Sequence, residues 1–221
     1  LCCSFFFSFY SRTFCDRYQF VMFNDQFPFR DFFVGMKAFS ETVQLKGQNN
    51  GVILGSDGYL ITRVDYPNEK VLKTNLNAAA RFQQTVQGIR CVTAFAGRKQ
   101  DTCDKYLPAA YGSYYSDRIW GILDGIAGER ALAYINLRDP LRRYASDGEA
   151  VYYKTDHHWT SLGAYYAYAQ VIEALGDSPL PLDAFTAETA SENFYGTTWS
   201  AAGAKWVKPD TITYYHGKNE S

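Results

Sequence analysis

Two of the three histidines in this chain, His157 and His158, stand side by side, with Asp156 before them and Trp159 after them. A carboxylate two residues from an imidazole can orient the ring and fix its tautomer, leaving the second ring nitrogen free to take a proton. That is the arrangement a general base needs. The segment Thr155-Asp156-His157-His158-Trp159-Thr160 runs straight into a helical pattern. A helix N-terminus adds positive potential and free N–H groups, which favour negative charge nearby. A lone histidine is most often structural, but an Asp-His-His-Trp run in a chain with one other histidine, His216, reads as chemistry. A second chemistry fits the same residues: Asp156, His157, His158 and His216 could ligate a metal. Adjacent side chains diverge unless the loop bends sharply, which counts against one ion holding both histidines.

The elements that must position this segment can be read from periodicity and punctuation. Over residues 162–175, Leu162, Tyr165, Tyr166, Ala169, Ile172 and Leu175 make one helical face, with Thr160 as N-cap and Gly176 just past the end. Residues 24–46 read as a turn and an amphipathic helix in which Phe32, Phe33, Met36 and Phe39 recur at helical spacing. Residues 49–62 carry a hairpin signal, two apolar runs around Ser56-Asp57-Gly58. A second helix is expected over 68–86, ended by Gly88, then a strand over 89–96 and a loop over 97–108. A helix over 113–126 and a strand over 131–137 follow, and Asp139-Pro140 breaks the chain. After Phe185 the pattern weakens, with one more strand expected within 206–215. Strand, helix and strand in alternation predict an α/β fold with a mainly parallel sheet covered by helices. In such a sheet the Asp156–His158 segment belongs at the C-terminal edge.

Composition narrows the function classes. With 47% hydrophobic and 20% charged residues the chain can bury a sizeable core. A formal net charge of −1 provides no basic field for nucleic acid. The 18 Tyr, 16 Phe and 4 Trp are the outlier; most such residues fill cores, but their flat faces and polar edges also suit sugar rings. Cys2, Cys3, Cys15, Cys91 and Cys103 form no CxxC pair, and their odd number argues against a closed disulfide framework. Cys91 and Cys103 are read as buried free thiols, or as a bridge in an extracytoplasmic protein. The opening LCCSFFFSFYSRTF is apolar but shorter than the roughly 20 residues that span a bilayer. Residues 1–23 are therefore read as an extension or the remnant of a membrane anchor, and 24–221 as one domain.

The stretch TDHHWTSLGAYYAY resembles the signature of the DHHW proteins of Gram-positive bacteria, relatives of the alginate O-acetyltransferases. The stretches NDQFPFRDFF, NNGVILGSDGYLI and FYGTTWSAAGAKWVKPDTI agree with it, so the resemblance covers about residues 16–215. It implies an SGNH hydrolase-like three-layer α/β/α sandwich in which Asp156 orients and His158 is the general base. His157 occupies the variable middle position as a second-layer or substrate contact, and Trp159 packs under the loop or stacks on substrate. The implied function is O-acetylation or deacetylation of a cell-envelope or extracellular polysaccharide, outside the cytoplasm and tethered to the membrane. The implied partners are a glycan acceptor and an acyl donor handed over by a membrane protein, with no cofactor and no nucleic acid. Two departures stand out: Ala96-Gly97-Arg98 replaces a proline-containing loop, and the Gly- or Lys-Asp-Ser-Phe motif of the nucleophile is absent. Ser56 and Ser146 precede Asp-Gly in turns and read as turn residues. The expectation is a domain incomplete at its C-terminus, ending before its serine. The competing reading is a non-catalytic glycan-binding or assembly module of the same shape.

Overall fold

The computed structural model describes residues 28–64, 67–86, 88–112 and 114–218. The expected anchor remnant at 1–23, with Cys2, Cys3 and Cys15, and the turn at 24–27 lie outside the described residues. The chain divides into two units, one up to Lys46 and one from Gly47 onward. The first contains helix α1 (Arg30–Val43), at the predicted place. Its aromatic stripe is largely exposed, Phe32 at 62% and Phe39 at 61%, while Ala38 is buried.

The second unit opens with a small antiparallel sheet of β1 (Gln48–Asn49), β2 (Val52–Leu54) and β3 (Leu60–Thr62). The predicted hairpin is present, turned by a short 3-10 segment at Ser56–Gly58 in which Asp57 and Gly58 adopt positive φ. Val52, Ile53, Leu60 and Ile61 are fully buried, so this sheet is covered on both faces rather than alternating.

Helix α2 (Glu69–Thr85) starts at Asn68, whose side chain accepts from the Val71 N–H. Strand β4 (Thr93–Phe95) pairs in parallel with β5 (Tyr134–Asn136). The parallel sheet expected at the centre is thus two-stranded among the described residues. Between these strands lie a short helix α3 (Lys99–Thr102), where a loop was expected, and α4 (Tyr114–Arg130). Leu76 and Ala80 of α2 pack with Trp120, Leu123, Ile126 and Ala127 of α4 and with Leu132, forming an apolar layer against Phe95 and Tyr134.

Asp139-Pro140 does not break the chain but opens helix α5 (Arg138–Ser146). Proline fits the first helical turn, where its missing N–H has no intrahelical partner. Helix α6 (Ser161–Ala174) follows the prediction closely, with the Thr160 hydroxyl accepting from the Gly163 N–H at 3.0 Å and Gly176 at φ 89°. The Arg90 guanidinium donates to the Ala174 and Leu175 carbonyls, closing the far end of α6. Phe185–Phe194 (β6) and Asp210–Gly217 (β7) pair antiparallel around helix α7 (Thr197–Ala202). Strand β6 escaped the sequence reading because it is exposed along most of its length and shows no alternation. No helix of the described residues is long and apolar enough to cross a membrane. Cys103 is fully buried and Cys91 half-buried, both as free thiols.

Candidate active site

Residues 151–160 form a tight reversal before α6. The Tyr153 N–H donates to the His158 carbonyl at 3.2 Å and the Thr160 N–H to the Val151 carbonyl at 3.0 Å, with Tyr152 and Trp159 bridged between them. Helix α6 can lie on this turn because position 163 is glycine: a Cβ there would meet the Val151 carbonyl oxygen at 2.2 Å. The sharp bend needed to bring adjacent histidines together is therefore present. The rings of His157 and His158 lie 3.9 Å apart, tilted by 38°.

Asp156 is nearly buried, and both of its oxygens are occupied. Oδ1 accepts from the His158 N–H at 3.0 Å and meets His158 Nδ1 at 2.5 Å. Oδ2 accepts from the Thr197 N–H at 2.8 Å and the Thr197 hydroxyl at 2.9 Å. Burial alone would raise the Asp156 pKa, but the backbone N–H groups of His158 and Thr197, joined by their side chains, outweigh it. The carboxyl is held well below its usual range, so it is a carboxylate at neutral pH. A carboxylate facing His158 Nδ1 places the proton on Nδ1 and leaves Nε2 as the acceptor. The ring itself is 68% exposed, so a sheltered carboxylate meets an accessible imidazole.

Thr197 has a second use. Its O–H is directed to Asp156, so its oxygen accepts from His157 Nδ1 at 3.0 Å. A chain of hydrogen bonds thus links His157, Thr197, Asp156 and His158. Thr197 can come this close because residue 196 is glycine: a Cβ at Gly196 would fall 2.3 Å from the Asp156 Cβ and 2.5 Å from Oδ2. Gly196 and Thr197 lie within the FYGTTW stretch, but nothing in its residue types announces a partner for Asp156. Thr155 and Thr160 are structural, as expected of loop and cap residues: Thr155 is fully buried and Thr160 caps α6.

The two histidines and Trp159 border a cleft of about 590 Å³ whose other wall is Thr62, Val64 and the segment 96–100 following β4. His158 therefore lies beside the C-terminal end of β4, the edge expected of an open α/β sheet. Gly97 in that wall is sterically required, since a Cβ would meet Arg138 and Thr102 at 2.9 Å, and its carbonyl accepts from the Tyr152 hydroxyl. Trp159, 38% exposed, faces the cleft as well as bridging to Tyr152. No serine lines this cleft among the described residues. Ser56 lies in the turn anticipated for it, whereas Ser146 is the last residue of helix α5, just before Asp147-Gly148.

The metal alternative is reduced by the same geometry. Asp156, His157 and His158 offer ligand atoms within 4.8 Å of one another, but the Asp156 oxygens already accept from four donors. His216 is not brought to the group; its Nε2 lies 3.7 Å from Glu188 on the β6–β7 hairpin.

An α/β domain with an Asp–His pair beside the C-terminal end of a parallel strand has the design of the SGNH hydrolase-like class. The chain belongs to the family described as the SGNH hydrolase-like domain of the acetyltransferase AlgX, which matches residues 52–216. Among solved structures, it resembles the O-acetyltransferase domain of Pseudomonas putida AlgJ at 20% identity and a TM-score of 0.55, over 76% of this chain and 66% of that one. It also resembles a DHHW family protein from Eubacterium siraeum at 24% identity and a TM-score of 0.56, over 77% and 56%. Bacillus cereus PatB1 matches at 15% identity and a TM-score of 0.57, over 76% and 56%. The chain thus spans between about half and two thirds of the length of these structures. No curated protein matches it.

Proposed function

We propose that this protein is the base-bearing part of a serine-dependent acyl-transfer site acting on hydroxyl groups of a cell-envelope or extracellular polysaccharide. The observation that carries the reading is the 2.5 Å contact between a buried Asp156 carboxylate and the Nδ1 of an exposed His158 ring. In this reading the serine attacks the acyl donor as His158 Nε2 takes its proton, and Asp156 stabilises the imidazolium that results. The proton then passes to the leaving group. The glycan hydroxyl, or water in an esterase, then gives its proton to His158 as its oxygen attacks the acyl-serine ester, and His158 returns that proton to the departing serine oxygen. His157 and Trp159 border the cleft and contact the substrate. In this reading the nucleophile is a serine in an Asp-Ser-Phe motif that these 221 residues do not contain, and no serine lines the cleft among the described residues.

Residues 24–221 form part of one catalytic domain in this reading, and residues 1–23 descend from an anchor that holds the protein outside the cytoplasm. The acyl group is supplied there by a membrane protein. Cytosolic fractionation of the full-length protein would remove the location from the proposal.

The test is hydrolysis of a chromogenic acetyl ester, and transfer to oligosaccharide, by this chain and by a longer gene product carrying a downstream Asp-Ser-Phe motif. Activity is expected in the longer protein alone. If this chain matched it and lost activity on His158→Ala, a serine already present would have to be the nucleophile. The cleft without a serine also supports a second reading, a glycan-binding or assembly module; glycan binding without turnover in the longer protein would favour it.

A further inference from the structure

Lys99 is the most unusual buried group outside the dyad. It is 4% exposed, yet its ammonium has all three of its protons placed on backbone carbonyls: Leu60 at 2.7 Å, Lys154 at 2.8 Å and Asp156 at 3.0 Å. Two of these carbonyls belong to the segment that carries Asp156. The N–H groups of Lys154 and Thr155 share one anionic partner, Asp210. Its Oδ1 accepts from the Lys154 N–H at 2.8 Å, and its Oδ2 from the Thr155 N–H at 2.7 Å and the Thr155 hydroxyl at 2.5 Å.

We propose that Lys99 and Asp210 are positioning residues for the dyad, a cation and an anion that grip opposite edges of the peptide groups at 154–156 and so set the Asp156 carboxylate against His158. This rests on the reading of Asp156 and His158 as a catalytic pair. The physical reason lies in the trans peptide, whose C=O and N–H point to opposite sides. No one charge can hold both edges, and a reversal this tight cannot satisfy them with ladder bonds alone. The carbonyls at 154 and 156 therefore converge on an ammonium, while the N–H groups at 154 and 155 converge on a carboxylate. Charge-assisted bonds of this kind are short and directional, which suits the holding of a geometry.

The chemistry of the two residues fits this division of labour. An ammonium has three donors and no acceptor, so it can hold three carbonyls that a neutral side chain could not. Burial lowers the Lys99 pKa to about 8, against the pull of Asp210 and Asp156, so the group is still mainly an ammonium at neutral pH. Lys99 lies in the wall of the cleft beside His158, but its ammonium is saturated by three backbone carbonyls, and the Asp210 carboxylate is held by the Lys154 N–H and by the N–H and hydroxyl of Thr155. Asp210 also ties β7 to the segment, and Lys99 ties it to β3 and α3. Three elements are thereby fixed to the dyad through two side chains.

The test is proton NMR of the folded 221-residue chain at neutral pH. A proton held between an imidazole nitrogen and a carboxylate is strongly deshielded, so wild type should show a downfield His158 Nδ1–H resonance, assigned by its loss in His158→Ala. In Lys99→Met and in Asp210→Asn, each shown to be folded by circular dichroism and a dispersed amide spectrum, that resonance should disappear. If folded variants retain it, the clamp is wrong. Should a variant fail to fold, wild-type protein decides: the Lys99 ammonium protons should exchange at least about tenfold more slowly than those of the exposed Lys70. Exchange at the exposed rate would overturn the proposal. Absence of the resonance from wild type itself would sink the dyad reading instead, so the two failures are told apart.

Discussion

The layer formed by α2 and α4 and the turn that carries the dyad are held in opposite ways. Leu76, Ala80, Leu123, Ile126 and Leu132 contribute apolar area, and many side chains of similar volume could fill the same space. Around Asp156 the contacts are hydrogen bonds from named donors, and Gly196 and Gly163 are needed because neighbouring atoms leave no room for a Cβ. Area stabilises without specifying position to a fraction of an ångström; directional bonds specify position and are individually modest. One region should therefore govern whether the chain folds, and the other whether the folded chain holds Asp156 against His158.

The largest expected effect separates these two roles. In a form of the protein that carries its nucleophile, Asp156→Asn should reduce kcat by about 10⁴, as loss of the orienting acid does in serine hydrolases, with a native circular dichroism spectrum. A turnover equal to wild type would show that the pair is not catalytic. Next comes the converse. Leu123→Ala should cost about 2–5 kcal/mol of stability, read by chemical denaturation, while the His158 Nδ1–H resonance persists below the melting temperature. Loss of that resonance in still-folded protein would show that the two regions are not separable.

Gly196→Ala should have an intermediate effect on stability, about 1–3 kcal/mol from overpacking. It should also shift α7 away from Asp156 and weaken the carboxylate's bonds to Thr197. A crystal structure with Thr197 still bonded to Asp156 would contradict the steric argument.

The smallest effect is the pH dependence of stability. The Asp156 carboxyl is depressed in the folded protein, so its contribution is fully present above the unfolded value of about 4. It is lost as pH falls from there towards the folded value. Asp156→Asn should flatten the acid limb of the melting-temperature profile between about pH 5 and pH 2. Lys99 is also depressed when folded, to about 8. For a base this means a penalty below that pH, which is relieved as pH rises towards the unfolded value of about 10.4. Wild type should gain stability relative to Lys99→Met across that alkaline window, measured by denaturant titration.

What could be read in the sequence follows the same division. Local patterns were legible: the Thr160 cap, the Gly176 terminus, the Ser56–Gly58 turn and the Asp156–His158 pair all depend on residues close together in the chain. The supports of the dyad were not. Lys99, Thr197 and Asp210 have ordinary surface chemistry, and only the fold reveals that they converge on one turn. Strand β6 was missed for a related reason, since an exposed strand has no inward face to impose a period of two. Helix α5 was missed because proline was read as a breaker, although it sits in the first turn, where it is tolerated.

The distances along the chain between the dyad and its supports bear on how the site comes into being. Lys99 precedes Asp156 by 57 residues, Thr197 follows it by 41, and Asp210 follows Lys154 by 56. Contacts of such range form late, because closing long loops is entropically costly. At a synthesis rate of 5–20 residues per second, His158 leaves the ribosome roughly 3–10 s before Asp210. During that interval the turn has its cation side available but lacks Asp210, and for most of it the Thr197 donors to the carboxylate as well. All of α2 and α4 leaves the ribosome before Thr197 and Asp210 do, so during synthesis the apolar layer can close while the Asp156–His158 pair still lacks these supports.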